Sequence, residues 1–136
     1  MADPSVVLDA SALLAWLRLE PGASEVRAAL DKTAAMSVVN WAEVLSKLSD
    51  LGENPVEVQS RMFEAGGFRK DLLLWPLDEA MAVEVAALRS KTRSRGLSLG
   101  DRACIALGQH LRLPILTADR VWKRFRLAGA QIQVIR

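Results

Sequence analysis

Four acidic residues share one local setting: a short apolar run, then the acid, then a helical pattern. Asp9 follows Val6-Val7-Leu8, and Glu43 lies a helical turn beyond Met36-Ser37-Val38-Val39. Asp101 follows Leu97-Ser98-Leu99-Gly100, and Asp119 follows Ile115-Leu116-Thr117-Ala118. Three of the four runs read as strands, so these carboxylates should collect near one edge of a parallel sheet. Carboxylates gathered there repel one another unless a cation joins them. Hard oxygen donors suit Mg²⁺ or Mn²⁺. Such an ion polarises a phosphodiester and lowers the pKa of bound water, and a second ion can steady the leaving oxygen.

Each acid also has a structural role open to it. Asp9 fits a helix N-cap, and Thr117 could cap a helix that holds Asp119 in its first turn. Asn40-Trp41-Ala42-Glu43 and Ser98-Leu99-Gly100-Asp101 both fit a capping box. Negative charge at a helix N-terminus is stabilising by about 0.3–1 kcal/mol. Capping explains why an acid is tolerated at each junction, but not why four acids occur on one sheet edge. The two roles are compatible, because helix N-termini keep carboxylates ionised. Ser11 and Thr117 add hydroxyls beside Asp9 and Asp119, while Asn40 is a supporting residue or only a cap. Gly100 beside Asp101 permits close approach by backbone or substrate. His110, the only histidine, sits late in a helical pattern and reads as an exposed residue rather than a catalyst.

The elements that position these residues alternate between strand and helix. Strands are expected at 5–8, 34–39, 72–75, 114–117 and 131–135. Helices are expected at 10–19, 23–31, 41–51, 56–65, 78–95, 99–111 and 119–127, with Gly66-Gly67 ending the fourth of them. Strands joined by helical crossovers argue for a parallel α/β sheet of four to five strands with helices on both faces. Ligands in such sheets bind beyond the carboxyl ends of the strands, where Asp9 and Asp119 lie.

The chain has 136 residues, of which 51% are apolar and 25% charged. That fits one domain, spanning 1–136, with a substantial core. No run approaches the roughly 18 apolar residues of a membrane helix. Met-Ala-Asp-Pro-Ser does not read as a signal peptide. The lone cysteine, Cys104, excludes an internal disulfide and a cysteine-based zinc site. A cytoplasmic protein with no membrane partner is the expectation. The net charge of +2 hides an asymmetry: residues 1–68 carry 5 Lys/Arg against 10 Asp/Glu, and residues 69–136 carry 13 against 6. The excess lies in Arg89, Lys91, Arg93, Arg95 and Arg102, and in Arg120, Lys123, Arg124 and Arg126. Both groups flank a proposed carboxylate, which suits phosphate contacts, although solvated helix faces look the same. Arg93, Arg95, Arg102, Arg120, Lys123 and Arg124 are the candidate RNA contacts.

Taken in order, Val-Val-Leu-Asp9-Ala-Ser11, Asn40-Trp-Ala-Glu43, Leu-Ser-Leu-Gly-Asp101-Arg-Ala-Cys and Leu-Thr117-Ala-Asp119-Arg-Val-Trp resemble the PIN-domain ribonucleases. Among these, the VapC-type toxins of bacterial toxin–antitoxin pairs are the nearest likeness. The resemblance covers essentially the whole chain and implies a three-layer α/β/α sandwich. It also implies Mg²⁺- or Mn²⁺-dependent endonucleolytic cleavage of RNA. By the same resemblance, Asp9 and Asp101 are the principal metal ligands and Glu43 binds directly or through water and helps orient the nucleophile. Asp119 completes the site or serves a second ion. A VapB-type antitoxin and a homodimer are the implied partners. The antitoxin would dock in a groove between helices 10–19 and 41–65, where Trp16, Trp41, Leu48, Met62 and Phe63 offer apolar anchors. Leu48 and Met62 are the two expected to fill the core instead.

Rival readings remain. A phosphatase with a nucleophilic Asp9 would resemble the haloacid-dehalogenase-like enzymes, but Asp9-Ala10-Ser11 lacks their second acid two positions on. A catalytically silent RNA- or protein-binding α/β module would leave the four acids unexplained. No glycine-rich fingerprint follows the first strand, which argues against a dinucleotide-dependent oxidoreductase.

Overall fold

A computed structural model describes residues 3–65, 67–93 and 96–136. Five parallel strands run β1 (Val6–Leu8), β2 (Ala34–Ser37), β3 (Leu72–Trp75), β4 (Pro114–Thr117) and β5 (Gln131–Val134). Their spatial order is β3-β2-β1-β4-β5. The chain builds outward from β1 in one direction through β2 and β3, then returns to β1's other side for β4 and β5. The order therefore reverses between β1 and β4, and a crevice opens at their carboxyl ends. Val7 pairs with Ile115 and Leu8 with Leu116, so Asp9 and the residues after Thr117 emerge side by side.

Among the described residues, six α-helices accompany the strands: α1 (Ala10–Leu17), α2 (Ala23–Asp31), α3 (Val38–Asp50), α4 (Pro55–Gln59), α5 (Glu79–Thr92) and α6 (Leu99–Leu111). The central strands are buried on both faces, which is why they read as continuous apolar runs. Alternate side chains divide between two cores. Val6, Leu8, Ala34, Met36 and Leu116 join Leu13, Val26, Val44 and Leu48 on the side of α1 to α4. Val7, Ala35 and Ile115 join Val85, Leu88, Ile105 and Trp122 on the side of α5 and α6. The result is the expected three-layer sandwich. Gly108 lets α6 lie close on β4: a Cβ there would come within 2.4 Å of Ile115 Cγ1.

Several boundaries differ from expectation. β2 ends at Ser37, whose hydroxyl accepts the Val39 N–H at 3.2 Å and starts α3 at Val38. Val38 and Val39 have strand-like side chains, but a competent cap and tertiary packing override that preference. Residues 56–65 are not one α-helix: α4 starts at Pro55, capped by Asn54, and passes into a π-helical segment, Ser60–Ala65. The segment after Asp119 is a 3₁₀ turn, Arg120–Arg124, rather than a helix to 127. α5 is capped by Asp78 and ends at Thr92. The Gly66 half of the Gly66-Gly67 stop lies outside the described residues.

Candidate metal centre

Asp9 is the anchor of the site. Its N–H still belongs to the sheet, donating to Leu116 O at 3.1 Å, while its side chain already caps α1. Oδ1 accepts the Ala12 N–H at 2.8 Å and the Ser11 hydroxyl at 2.7 Å. Oδ2 accepts the Thr117 hydroxyl at 2.5 Å, a bond that crosses from β1 to the end of β4. Ser11 in turn accepts the Ala118 N–H at 2.9 Å, and Thr117 Oγ1 accepts the Asp119 N–H at 3.1 Å. The two hydroxyls therefore stitch the crevice where the strand order reverses. Asp9 is only 5% exposed. Burial is the main reason its pKa rises from 3.8 to about 6; the bonds from Thr117, Ala12 and Ser11 oppose that rise, and the nearby charge of Asp101 adds to it.

Glu43 reaches the same place from α3. Asn40, one turn earlier and fully buried, donates Nδ2 to Glu43 Oε1 at 2.7 Å and to Gly100 O at 2.9 Å. That amide is neither the cap of α3 nor part of a capping box with Glu43, as expected above; Ser37 is the cap, and Asn40 braces α3 against α6. Its Oδ1 is buried with no partner among the described residues. Gly100 is the matching cradle on α6, since a Cβ there would meet the Glu43 carboxylate at 2.4–2.7 Å. Asp101, the next residue, forms the expected capping box with Ser98, accepting the Ser98 N–H at 3.0 Å. Asp119 is itself the cap of its 3₁₀ turn, in place of Thr117, and accepts the Val121 N–H at 3.0 Å.

Asp9, Glu43, Asp101 and Asp119 all line one cleft of about 290 Å³, with Ser11 and Asn40. All four acids chosen from the sequence thus meet. The carboxylate, hydroxyl and amide oxygens among the lining residues are hard donors. Cys104 is buried within α6, and His110 is exposed, 3.8 Å from Glu84. Among the described residues no three Asp, Glu, His or Cys side chains already converge tightly enough to hold an ion by themselves. The donors that are present fit a hydrated hard cation, one that keeps several waters between itself and some carboxylates. Asp9, desolvated and short of a counter-charge, is the residue with most to gain from it.

One cleft residue was not foreseen. Lys47, four positions after Glu43 on the same face of α3, also lines the site. Helical spacing from Glu43 was the available signal. Lys47 stands apart from the basic clusters, which lie in the second half of the chain.

The proposed RNA contacts divide. Arg93, Arg120, Lys123 and Arg124 are exposed, with Arg120 Nε donating to Arg136 O at 3.0 Å. Arg95 lies outside the described residues. Arg102 must be withdrawn: it is buried, and its Nη1 donates to Val85 O at 3.0 Å, so it ties α6 to α5. The docking groove also changes composition. Trp41 and Phe63 are buried against each other edge to face, with Trp41 Nε1 on Gln59 Oε1, and Leu48 joins them in the core. Met62 is half-buried: it packs against that core, as expected, and also lines a surface groove with Leu17, Leu48, Leu51 and Val58. Trp16 is half-buried and stacks on Phe68.

The family model for the PIN domain matches residues 6–127. No curated protein matches the chain. Among solved structures, a toxin–antitoxin complex from Klebsiella pneumoniae is similar, with 20% identity over 93% of this chain and 95% of that one, at a TM-score of 0.69. DNA-bound VapBC from Salmonella typhimurium shares 16% identity over 100% of both chains, at 0.70. FitAcB from Neisseria gonorrhoeae shares 20% over 96% of this chain and 97% of that one, also at 0.70.

Proposed function

The chain belongs to the PIN-domain family, and from that premise we propose that it is a divalent-metal-dependent endoribonuclease, the VapC-type toxin of a toxin–antitoxin pair. The observation that carries this reading is the buried carboxylate of Asp9, pushed up to about 6 where three further acids share its cleft. Asp9 and Asp101 are the principal ligands, reaching the cleft from β1 and α6. Glu43 is oriented by Asn40 through Oε1, which leaves Oε2 to accept the proton of an attacking water. Asp119 closes the fourth side, on the turn after β4. Ser11 and Thr117 hold Asp9 in place. When bound, Mg²⁺, with Mn²⁺ as a substitute, supplies charge neutralisation for the phosphodiester and activation of water.

The partners in this reading are an RNA substrate, a VapB-type antitoxin and a second copy of the chain. The groove of Leu17, Leu51, Val58 and Met62 is where an apolar antitoxin segment would lie. Among the described residues no helix is long and apolar enough to cross a membrane.

The catalytically silent RNA- or protein-binding module has one observation in its favour: among the described residues, no three of the acids stand close enough together to chelate an ion. A labelled single-stranded RNA separates the two. With Mg²⁺ or Mn²⁺ the protein cuts it internally, and excess EDTA stops the reaction completely. Cleavage that survives EDTA overturns the metal-dependent reading, while retention of intact RNA in Mg²⁺ favours the module.

A further inference from the structure

Glu43 and Lys47 stand at the i, i+4 spacing, with the acid nearer the helix N-terminus, the orientation in which such pairs attract best. Both line the cleft. Yet the described residues contain no ion pair between them, and the Lys47 ammonium makes no hydrogen bond to any of them. Asn40 Nδ2 takes Glu43 Oε1 at 2.7 Å and anchors it against Gly100 O at 2.9 Å, drawing the carboxylate toward α6. Asn40, Glu43 and Lys47 lie at helical spacing, so one face of α3 carries a brace, an acid and a cation. Among the described residues lining this cleft, Lys47 is the one Lys or Arg.

We propose that Lys47 binds a phosphate of the RNA backbone in the cleft, and that Asn40 keeps it available by holding Glu43 away. This rests on the nuclease reading above and names a substrate contact within it. Four carboxylates repel a polyanion, so a cation set among them offsets that repulsion where the backbone must enter. A neutralising ion at the acids and an ammonium one turn away together make a path for successive phosphates. A lysine on any other face of α3 would do nothing of this kind.

The test compares steady-state RNA cleavage by the parent, Lys47→Met and Lys47→Arg, each also titrated with Mn²⁺ by calorimetry. Lys47 is exposed, so Met keeps the aliphatic stem and the fold, which a thermal melt verifies. Expected for Lys47→Met is a KM raised roughly five- to tenfold, because one phosphate contact is lost. The dependence of kcat/KM on salt also becomes shallower by about 0.7 in log–log slope, as for one contact to a single strand. Lys47→Arg restores both. Mn²⁺ affinity is unchanged or tighter, since removing a nearby positive charge cannot weaken a cation site. An unaltered KM and salt slope overturns the proposal and leaves Lys47 a solvated helix-end residue. Weakened Mn²⁺ binding in step with lost cleavage overturns it too, because that marks damage to the site. If the parent itself cuts no RNA, the proposed function falls and this contact with it; if only Lys47→Met matches the parent, the contact alone falls.

Discussion

Asp9→Asn gives a protein that no longer cuts RNA yet is more stable than its parent in metal-free buffer at pH 7.5. Losing a ligand that places both ion and phosphate costs on the order of 10³-fold in rate, about 4 kcal/mol of transition-state stabilisation. The stability gain follows from burial. Asp9 titrates near 6 in the folded protein against 3.8 when unfolded, so the folded state holds its proton more tightly. The contribution of Asp9 to stability is therefore fullest below about pH 3.8 and is lost as pH rises through about 6. A shift of about two units corresponds to roughly 3 kcal/mol at most. Asn carries no charge and keeps an oxygen for the Ala12 N–H, though it cannot accept the Thr117 hydroxyl on its nitrogen. A net gain of about 1–2 kcal/mol above pH 7 is the expected outcome, shrinking to nothing near pH 4. Urea melts at pH 4, 6 and 7.5 read it directly. A variant less stable than the parent at pH 7.5 without metal would mean that its hydrogen bonds, not burial, dominate the energy of Asp9.

Gly100→Ala separates site geometry from stability in the opposite way. The added methyl collides with the Glu43 carboxylate, the far end of a flexible side chain, and not with backbone. The cheapest relief is for Glu43 to swing out of the cleft and give up its bond to Asn40. Ala inside α6 gains up to about 1 kcal/mol of helix propensity over Gly, so the melt should stay level or improve. Cleavage should drop roughly 10- to 100-fold, the scale of losing a group that orients a metal site. In a Glu43→Gln background the same change should cost little more, since the carboxylate it displaces is already gone. Parental cleavage by Gly100→Ala would show that the position of Glu43 is not needed.

Much of this arrangement could be read from the chain because burial writes itself into composition. Val6-Val7-Leu8 and Pro114-Ile115-Leu116-Thr117 are enclosed on both faces, so they appear as short apolar runs ending at an acid. The capping box of Ser98 and Asp101 was equally plain, since it is a local pattern. The other positions depend on caps and packing that a local apolar pattern does not record. Val38 and Val39 look like strand until Ser37 turns the chain. Arg102 looks like a surface cation until α5 is packed over it. Asn40 reveals its role only when Gly100, sixty residues later, arrives against it. Lys47 belongs to no basic cluster in the sequence, and one face of α3 sets its neighbourhood.

In the proposed function, four carboxylates gathered where the strand order reverses bind one kind of hard divalent ion. Titrating the parent with Mn²⁺ by calorimetry at pH 6 and 7.5, each in two buffers of different ionisation enthalpy, tests it most directly. Saturable binding should release about half a proton at pH 6, because Asp9 is then half protonated, and almost none at pH 7.5. Asp9→Asn and Asp101→Asn should each abolish it. No heat of binding at millimolar Mn²⁺, or binding left intact by Asp9→Asn, would contradict the account.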